Sequence, residues 1–334
     1  MSGPTLTAMV ERLRKAKRVA IFTHQRPDPD ALGSQAAAGM ILKALGAEEI
    51  VTVHFAEPPA PYAFLLMGKR HEEWESEWAG SVGGTVDTIL VVDTCTYQQM
   101  EPAAGFLKAE REKVVAIDHH LSRDEMGPLL YTDTTAAACV EILWEVAKAA
   151  GVTIDEKLAL ALMAGLVADT GWFRFDSVTA RTHRMAAELT PLVNNSELYS
   201  LLQQTETKPK VGLMQRALAS VVWSCDDRFA CMMLRQRDFQ ETGAAASQTE
   251  YLVDLPMVVK TVEVVALLTE TPEGKIRGSL RSKRHLDVNA IAKKFSGGGH
   301  AKAAGCRFEG TTLEAAAEAL RGAVSEAIAK ETIS

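Results

Sequence analysis

Three apolar runs early in the chain each end in acids or histidines, and helix-like stretches alternate with them. Residues 19–22 (VAIF) lead into His24, Asp28 and Asp30. Residues 87–93 (DTILVVD) close on Asp93, and residues 114–117 (VVAI) run into Asp118, His119 and His120. Short continuous runs of this kind read as strands buried on both faces, as in parallel sheets. A parallel sheet brings the same strand ends together, and open α/β sheets hold their ligands at those ends. Taken singly, Asp28 and Asp30 read as helix caps, Asp93 as a strand-end acid and the histidines as loop residues. Taken together they read as one wall of a cation site.

The rest of the first half supports an α/β reading. Residues 4–17 suggest a short helix. Pro27 and Pro29 hold the next residues extended, and a helix is expected from Ala31 to about Leu45, with Gly46 as its stop. Residues 50–55 read as a further strand. The order of residues 56–80 is open, although Trp74 and Trp78, four apart, favour helix-face packing. Residues 134–150 predict a helix capped by Thr134 or Asp133. Asp155 caps the next, whose all-round apolarity marks it as buried. That helix runs into Asp169, which has to reach the surface or find compensation. A helix over 178–190 follows.

With 334 residues the chain has room for two domains. The boundaries expected are residues 1–190, a polar linker at 191–215, and residues 216–334. In the last part, residues 219–223, 229–234, 262–270 and 275–281 read as strands, the final two joined through Pro272, Glu273 and Gly274. Helices are expected over 243–254, 287–295 and 312–330, with a short strand at 306–308. The fold class expected is α/β: an N-terminal, mostly parallel sheet flanked by helices, and a smaller mixed-sheet α/β domain across a cleft.

Net charge is −7, which argues against an extended cationic track for long nucleic acid but leaves room for a small phosphorylated ligand. The five cysteines lack metal-ligand spacing and sit in apolar or small-residue settings, which favours packed, reduced thiols. The N-terminus has no apolar signal core, and the longest near-apolar run, 158–168, is too short to span a bilayer. A cytoplasmic protein with no membrane contact is expected, and a homodimer is left open.

The candidate ligands are His24, Asp28, Asp30, Asp93, Asp118, His119, His120 and Asp169. Oxygen and imidazole donors without cysteine favour manganese, with magnesium the alternative. Asp93, in the middle of the set, is placed to bridge two ions. The ordered blocks HQRPDPDALGS from His24, VVD at Asp93, DHH at Asp118, ADTG around Asp169 and GGGH from Gly297 resemble the DHH phosphoesterase family with its associated C-terminal domain. Within it the chain resembles most the nanoRNase (oligoribonuclease)/pAp phosphatase subgroup related to RecJ. The resemblance implies one metal held by His24, Asp28 and Asp93, and another by Asp30, Asp93, His119 and Asp169, with an activated water as nucleophile. It implies that Asp118 orients His119 and that His120 stands beside the site near a phosphate oxygen or the leaving group. Pro29 stands where glycine is often found in the family, which stiffens the link between Asp28 and Asp30 without removing a ligand.

In the second half, Gly297, Gly298 and Gly299 are free to expose backbone amides or simply to form a turn. Arg281 lies at the end of the expected hairpin, where an arginine can fork onto a phosphate or remain solvated. The resemblance shifts both towards substrate binding by Arg281, Ser282, Gly297, Gly298, Gly299 and His300. Arg174 is a further phosphate contact from the catalytic half. The implied activity is hydrolysis of short RNA to nucleoside monophosphates and of 3′-phosphoadenosine 5′-phosphate (pAp) to AMP and phosphate, with no action on long duplexes. The alternative is a soluble phosphodiesterase for cyclic dinucleotides or their linear products, pApA and pGpG. A non-catalytic nucleotide-binding regulator is disfavoured by the intact ligand set.

Overall fold

The computed structural model describes residues 5–67, 71–75, 78 and 83–331. Part of the tryptophan-bearing run whose order the sequence left open lies outside them. Backbone contacts divide the chain into two units between Thr205 and Glu206. The stretch expected as a linker is largely helical, carrying Asn195–Gln203 and the start of Lys208–Ala219.

In the first unit, strands β1 (Arg18–Phe22), β2 (Glu49–His54), β3 (His71–Glu73), β4 (Thr88–Val92), β5 (Val114–Asp118) and β6 (Leu129–Thr132) form one sheet. Their order is β3-β2-β1-β4-β5-β6, and every pair is parallel. The sequence announces β6 only weakly: its apolar run is short, Leu129 to Tyr131, and its residues are only half-buried. The order reverses between β1 and β4, and at such a switch point the loops leaving the strands diverge and open a crevice. His24 follows β1 and Asp93 follows β4.

Helices α1 (Leu6–Lys15), α2 (Pro29–Ala44), α3 (Ala104–Ala109), α4 (Cys139–Ala150), α5 (Glu156–Asp169) and α6 (Ala180–Leu189) flank this sheet. α2 begins at Pro29 rather than Ala31, because proline at the first helical position loses no hydrogen bond and presets φ. α4 begins at Cys139 rather than Thr134, and neither Thr134 nor Asp133 caps it. α2 and α5 pack closely through glycines. A Cβ on Gly33 would lie 2.5 Å from the Ala161 carbonyl oxygen, and one on Gly165 would lie 2.6 Å from Asp30 Oδ1. On the opposite face Phe22 is fully buried among Trp74, Trp78 and Phe106. Burying a ring of that size contributes about 1.5–3 kcal/mol.

The second unit holds β7 (Val222–Ser224), β8 (Phe229–Leu234), β9 (Val264–Glu270), β10 (Ile276–Ser282), β11 (Gly298–Gly299) and β12 (Ala303–Phe308). Its sheet runs β11-β12-β10-β9-β8-β7 and is mixed, parallel only between β8 and β9. The helix expected over 243–254 is a correction. The helix lies earlier, at Gln236–Thr242, and Gly243 stops it in the left-handed conformation at φ 70°. Val288–Lys293 and Leu313–Glu331 pack on one face with Ile276, Leu280, Ala304 and Cys306. Lys208–Ala219 covers β8 and β9 on the other face. Cys95, Cys139, Cys231 and Cys306 are buried free thiols, and Cys225 is half-buried.

Candidate metal centre

The carboxyl ends of β1, β4 and β5 and the end of α5 bring three groups of donors together. His24, Asp28 and Asp93 each offer a ligand atom within 4.8 Å of the others, and so do Asp30, His119 and Asp169. Asp93, His119 and His120 form a third group. Asp93 belongs to two of them through different oxygens. Its Oδ2 lies 3.5 Å from His24 Nε2, and its Oδ1 lies 3.5 Å from His119 Nε2. Asp93 holds a left-handed backbone, φ 59°, directly after β4. Aspartate tolerates that region better than most residues, and such strain concentrates at functional sites.

Each side chain is held from behind. Asp28 caps α2, its Oδ1 accepting from the amides of Asp30 and Ala31. Asp30 is fully buried and caps a different helix: Oδ2 accepts from Cys139 N at 2.7 Å and Oδ1 from Val140 N at 3.1 Å. That is why α4 starts at Cys139, for its first amides are satisfied by an aspartate 109 residues away in sequence. His119 Nδ1 faces the Ala136 carbonyl at 3.3 Å, and its Nε2 lies 3.4 Å from Asp169 Oδ2 and 3.9 Å from Asp30 Oδ2.

Asp118 departs from its expected part. It does not touch the His119 ring: its Oδ1 bonds His120 Nδ1 at 2.8 Å and accepts from the His119 and His120 amides. The turn after β5 folds His120 back over Asp118 and sends His119 forward.

The charges are frustrated without a cation. Burial, then the neighbouring Asp93, Asp169 and Asp28, raises the Asp30 carboxyl well above the ordinary range. Burial with Asp28 and Asp93 pushes Asp169 up to about 7. Burial pulls His119 down, but the Asp93 carboxylate beside it outweighs this and lifts it to about 9. Burial raises Asp93, yet His119 and His24 bring it below the usual value. Asp93 Oδ1 and His119 Nε2 are buried and have no hydrogen-bond partner. Four carboxylates facing imidazole nitrogens, with orphaned lone pairs turned to a common point, fit a divalent metal.

The remaining candidates lie elsewhere. Arg174 donates Nε–H to the Gly171 carbonyl at 2.6 Å, in the turn after Asp169. In the second unit Arg281 Nε lies 3.5 Å from Asp254 Oδ1, and Ser282 Oγ is buried without a partner. Gly298 and Gly299 pair with β12 as a short strand, and the exposed His300 turns the chain, its amide bonding the Ala303 carbonyl at 2.8 Å. A Cβ at Gly297 would meet the Gly305 carbonyl oxygen at 2.1 Å, and one at Gly299, where φ is 147°, would meet the Ala303 oxygen at 2.5 Å. Two of the three glycines are therefore demanded by close backbone approach, while Gly298 stands open.

Sequence reasoning missed the residues behind the ligands. Arg181, on α6, bonds Asp133 and Glu145 and lies 3.6 Å from Glu141, whose Oε2 accepts from Ala137 N. These bonds brace the turn that presents the Ala136 carbonyl to His119. The available signal was Glu141 itself, an acid set among the apolar residues that open the helix.

Comparison with known proteins fits this geometry. Residues 18–166 match the DHH family, N-terminal domain, and residues 229–330 match the DHHA1 domain. The chain carries a DHH domain followed by a DHHA1 domain. It is 28% identical to the bifunctional oligoribonuclease and PAP phosphatase NrnA of Bacillus subtilis, over 90% of this chain and 92% of that one. It is 29% identical to the protein of the same name from Thermus thermophilus, over 93% and 90%. The crystal structure of an exopolyphosphatase-related protein from Bacteroides fragilis shares the fold, with a TM-score of 0.83 at 22% identity, covering 96% of this chain and 95% of that one. No helix among the described residues is long and apolar enough to cross a membrane.

Proposed function

We propose that this chain is a metal-dependent phosphoesterase that hydrolyses short oligoribonucleotides to nucleoside monophosphates and pAp to AMP and phosphate. The observation that carries the reading is Asp93, whose two oxygens face two separate ligand groups. The relatives matched over about nine-tenths of the chain support the choice of substrate. His24, Asp28 and Asp93 would hold one divalent ion, and Asp30, Asp93, His119 and Asp169 the other, with manganese favoured by the donor set. When bound, such ions lower the pKa of water and stabilise charge on phosphoryl oxygens.

The chain's own residues do the rest. Asp118 fixes the His120 ring through Nδ1 and, ahead of the opposing effect of burial, raises its pKa. That favours the protonated ring, whose Nε2–H would donate to a phosphate oxygen or to the leaving oxygen. Arg281, Ser282, the Gly297, Gly298 and Gly299 run, His300 and Arg174 are assigned as substrate contacts. The Arg281–Asp254 pair is half-exposed, so a phosphate can replace Asp254 at little cost.

The test is a product assay with Mn²⁺ over pAp, pApA, pGpG, cyclic di-AMP, pyrophosphate and RNA of two to twenty-four nucleotides, the upper length being roughly chosen to exceed any short substrate. AMP from pAp and mononucleotides from the shortest RNAs are expected. Asp93→Ala is expected to lower kcat/KM on the order of 10³-fold or more, since both ligand groups lose a member. Activity of Asp93→Ala close to wild type would sink the metal chemistry. Preference for cyclic di-AMP over pAp and short RNA would move the substrate to the cyclic dinucleotides.

A further inference from the structure

Along β10 the residues alternate between the faces of the second sheet. Ile276, Gly278, Leu280 and Ser282 are buried, while Arg277, Ser279 and Arg281 stand on the opposite side. β12 repeats the pattern, with Ala304 and Cys306 inside and Ala303, Gly305 and Arg307 outside. The register sets Arg277 directly opposite Arg307 and Arg281 opposite Ala303. Helical cover on this side reaches β8 and β9 through Ala230, Met232, Val265 and Leu267, but Arg277 and Arg307 remain exposed.

Two like charges placed opposite each other on neighbouring strands oppose folding. Compensation is weak: neither guanidinium has an ion-pair partner within 4 Å among the described residues, and Glu309, the acid that Arg307 attracts, is bonded to Lys275 at 2.6 Å. Arg281 lies four residues along the same strand face, about 14 Å away at the rise of an extended chain.

Where the helical cover stops, the same face holds a cavity of about 270 Å³. Phe239 and Leu267 give it an apolar wall, Gln236 and Thr249 offer hydrogen bonds, and Arg277 and Ser279 stand on its sheet side. Glu270, which also borders it, already accepts from the Gln236 amide at 2.9 Å. An aromatic wall, a few polar groups and a neighbouring exposed arginine pair suit a nucleobase with its backbone phosphates.

We propose that this open sheet face is a distal subsite for single-stranded oligoribonucleotide: Arg277 and Arg307 take backbone phosphates, and the Phe239 cavity takes a base. The proposal deepens the functional reading above and rests on it for the choice of RNA as the polyanion. It gives the chain a means of gripping RNA beyond the residues that contact the terminal nucleotide, which pAp is too small to use.

The test uses the full chain and two readouts. In EDTA, fluorescence anisotropy follows a labelled five-nucleotide RNA, with unlabelled two-nucleotide RNA and pAp as competitors, over a range of salt. In Mn²⁺, KM is measured for the five-mer and for pAp. Wild type is expected to bind the five-mer more tightly than the two-mer. The R277Q/R307Q double variant is expected to weaken five-mer binding about 10-fold and to flatten its salt slope by about 1.4, the share of two phosphates on a single strand. F239A is expected to weaken the five-mer without changing the slope, and R277K/R307K to retain the slope. KM for pAp stays unchanged in all three, and the thermal midpoint of R277Q/R307Q is no lower than wild type. Unchanged five-mer affinity and slope in R277Q/R307Q would overturn the subsite. So would equal weakening of pAp and five-mer, or altered sedimentation with unaltered RNA binding, which would make the face a contact between copies of the chain. If wild type hydrolyses neither RNA nor pAp, the functional reading fails, while the anisotropy still decides the subsite.

Discussion

The two sheets carry their charges in opposite ways. In the first unit the charged residues sit past the ends of parallel strands, buried and bound from behind by amides. In the second they sit along strands, on alternate positions, in water. Asp30 and Asp93 are almost wholly removed from solvent, whereas Arg277 and Arg307 are exposed. Burial decides what each set can do. Desolvated carboxylates are driven towards the neutral form unless a cation joins them. Exposed guanidiniums keep their charge at any working pH and attract anions at a distance. Rigid placement serves a group that has to hold ions and align a reaction. A shallow charged face serves one that holds a flexible strand in more than one register.

The contrast is open to breaking in three places. The largest effect is expected at His120. Replacing it with alanine removes a proton donor but leaves both ligand groups, so kcat on pAp is expected to fall about 10²-fold with little change in metal affinity. A fall in metal affinity equal to the loss of rate, measured by Mn²⁺ titration, would make His120 a ligand instead. Next is Gly165→Ala. The new Cβ would fall 2.6 Å from Asp30 Oδ1 and within 3 Å of the Val140 methyls. A destabilisation of about 1–3 kcal/mol is expected, together with weaker metal binding. A thermal midpoint like wild type would mean that α2 and α5 part freely and that Asp30 is not rigidly placed.

The smallest effect is that of pH on the metal-free chain. Asp169, at about 7 when folded, binds a proton more tightly folded than unfolded, so its contribution to stability is lost as pH rises from about 4 through 7. His119, at about 9, gives stability that is present below about 6.5 and lost as pH rises through 9. Both groups weaken the metal-free fold as pH rises, and both release protons to a metal. The gain in thermal midpoint on adding Mn²⁺ is therefore expected to be larger at pH 8 than at pH 6. A larger gain at pH 6 would contradict these charge assignments.

Much of the first unit was legible because burial on both faces leaves an unbroken apolar run, and the residue that ends such a run is conspicuous. His24, Asp93 and His119 were found that way. What escaped depends on partners distant in sequence. The start of α4 is set by Asp30, and no local cap residue marks it. The bond from Asp118 to His120 rather than His119 follows from the path of one turn. The half-buried β6 had only the short run Leu129 to Tyr131 to betray it. In the second unit RGSLRS announced a strand, and Arg281 was noticed. Arg277 was not, because strand alternation shows which residues share a face but not which face the helices cover. The glycine run was legible as special, though the reason differs: Gly297 and Gly299 are needed where two strands press together.

The central claim is that Asp93 joins two cation sites at the switch point of the first sheet. The most direct test is equilibrium titration of the full chain with Mn²⁺, following free ion by electron paramagnetic resonance. Two tightly bound ions per chain are expected in wild type and a loss of both high-affinity sites in Asp93→Ala, with the fold retained by circular dichroism. Undiminished binding of two ions by Asp93→Ala, or no tight binding by wild type, would contradict the account.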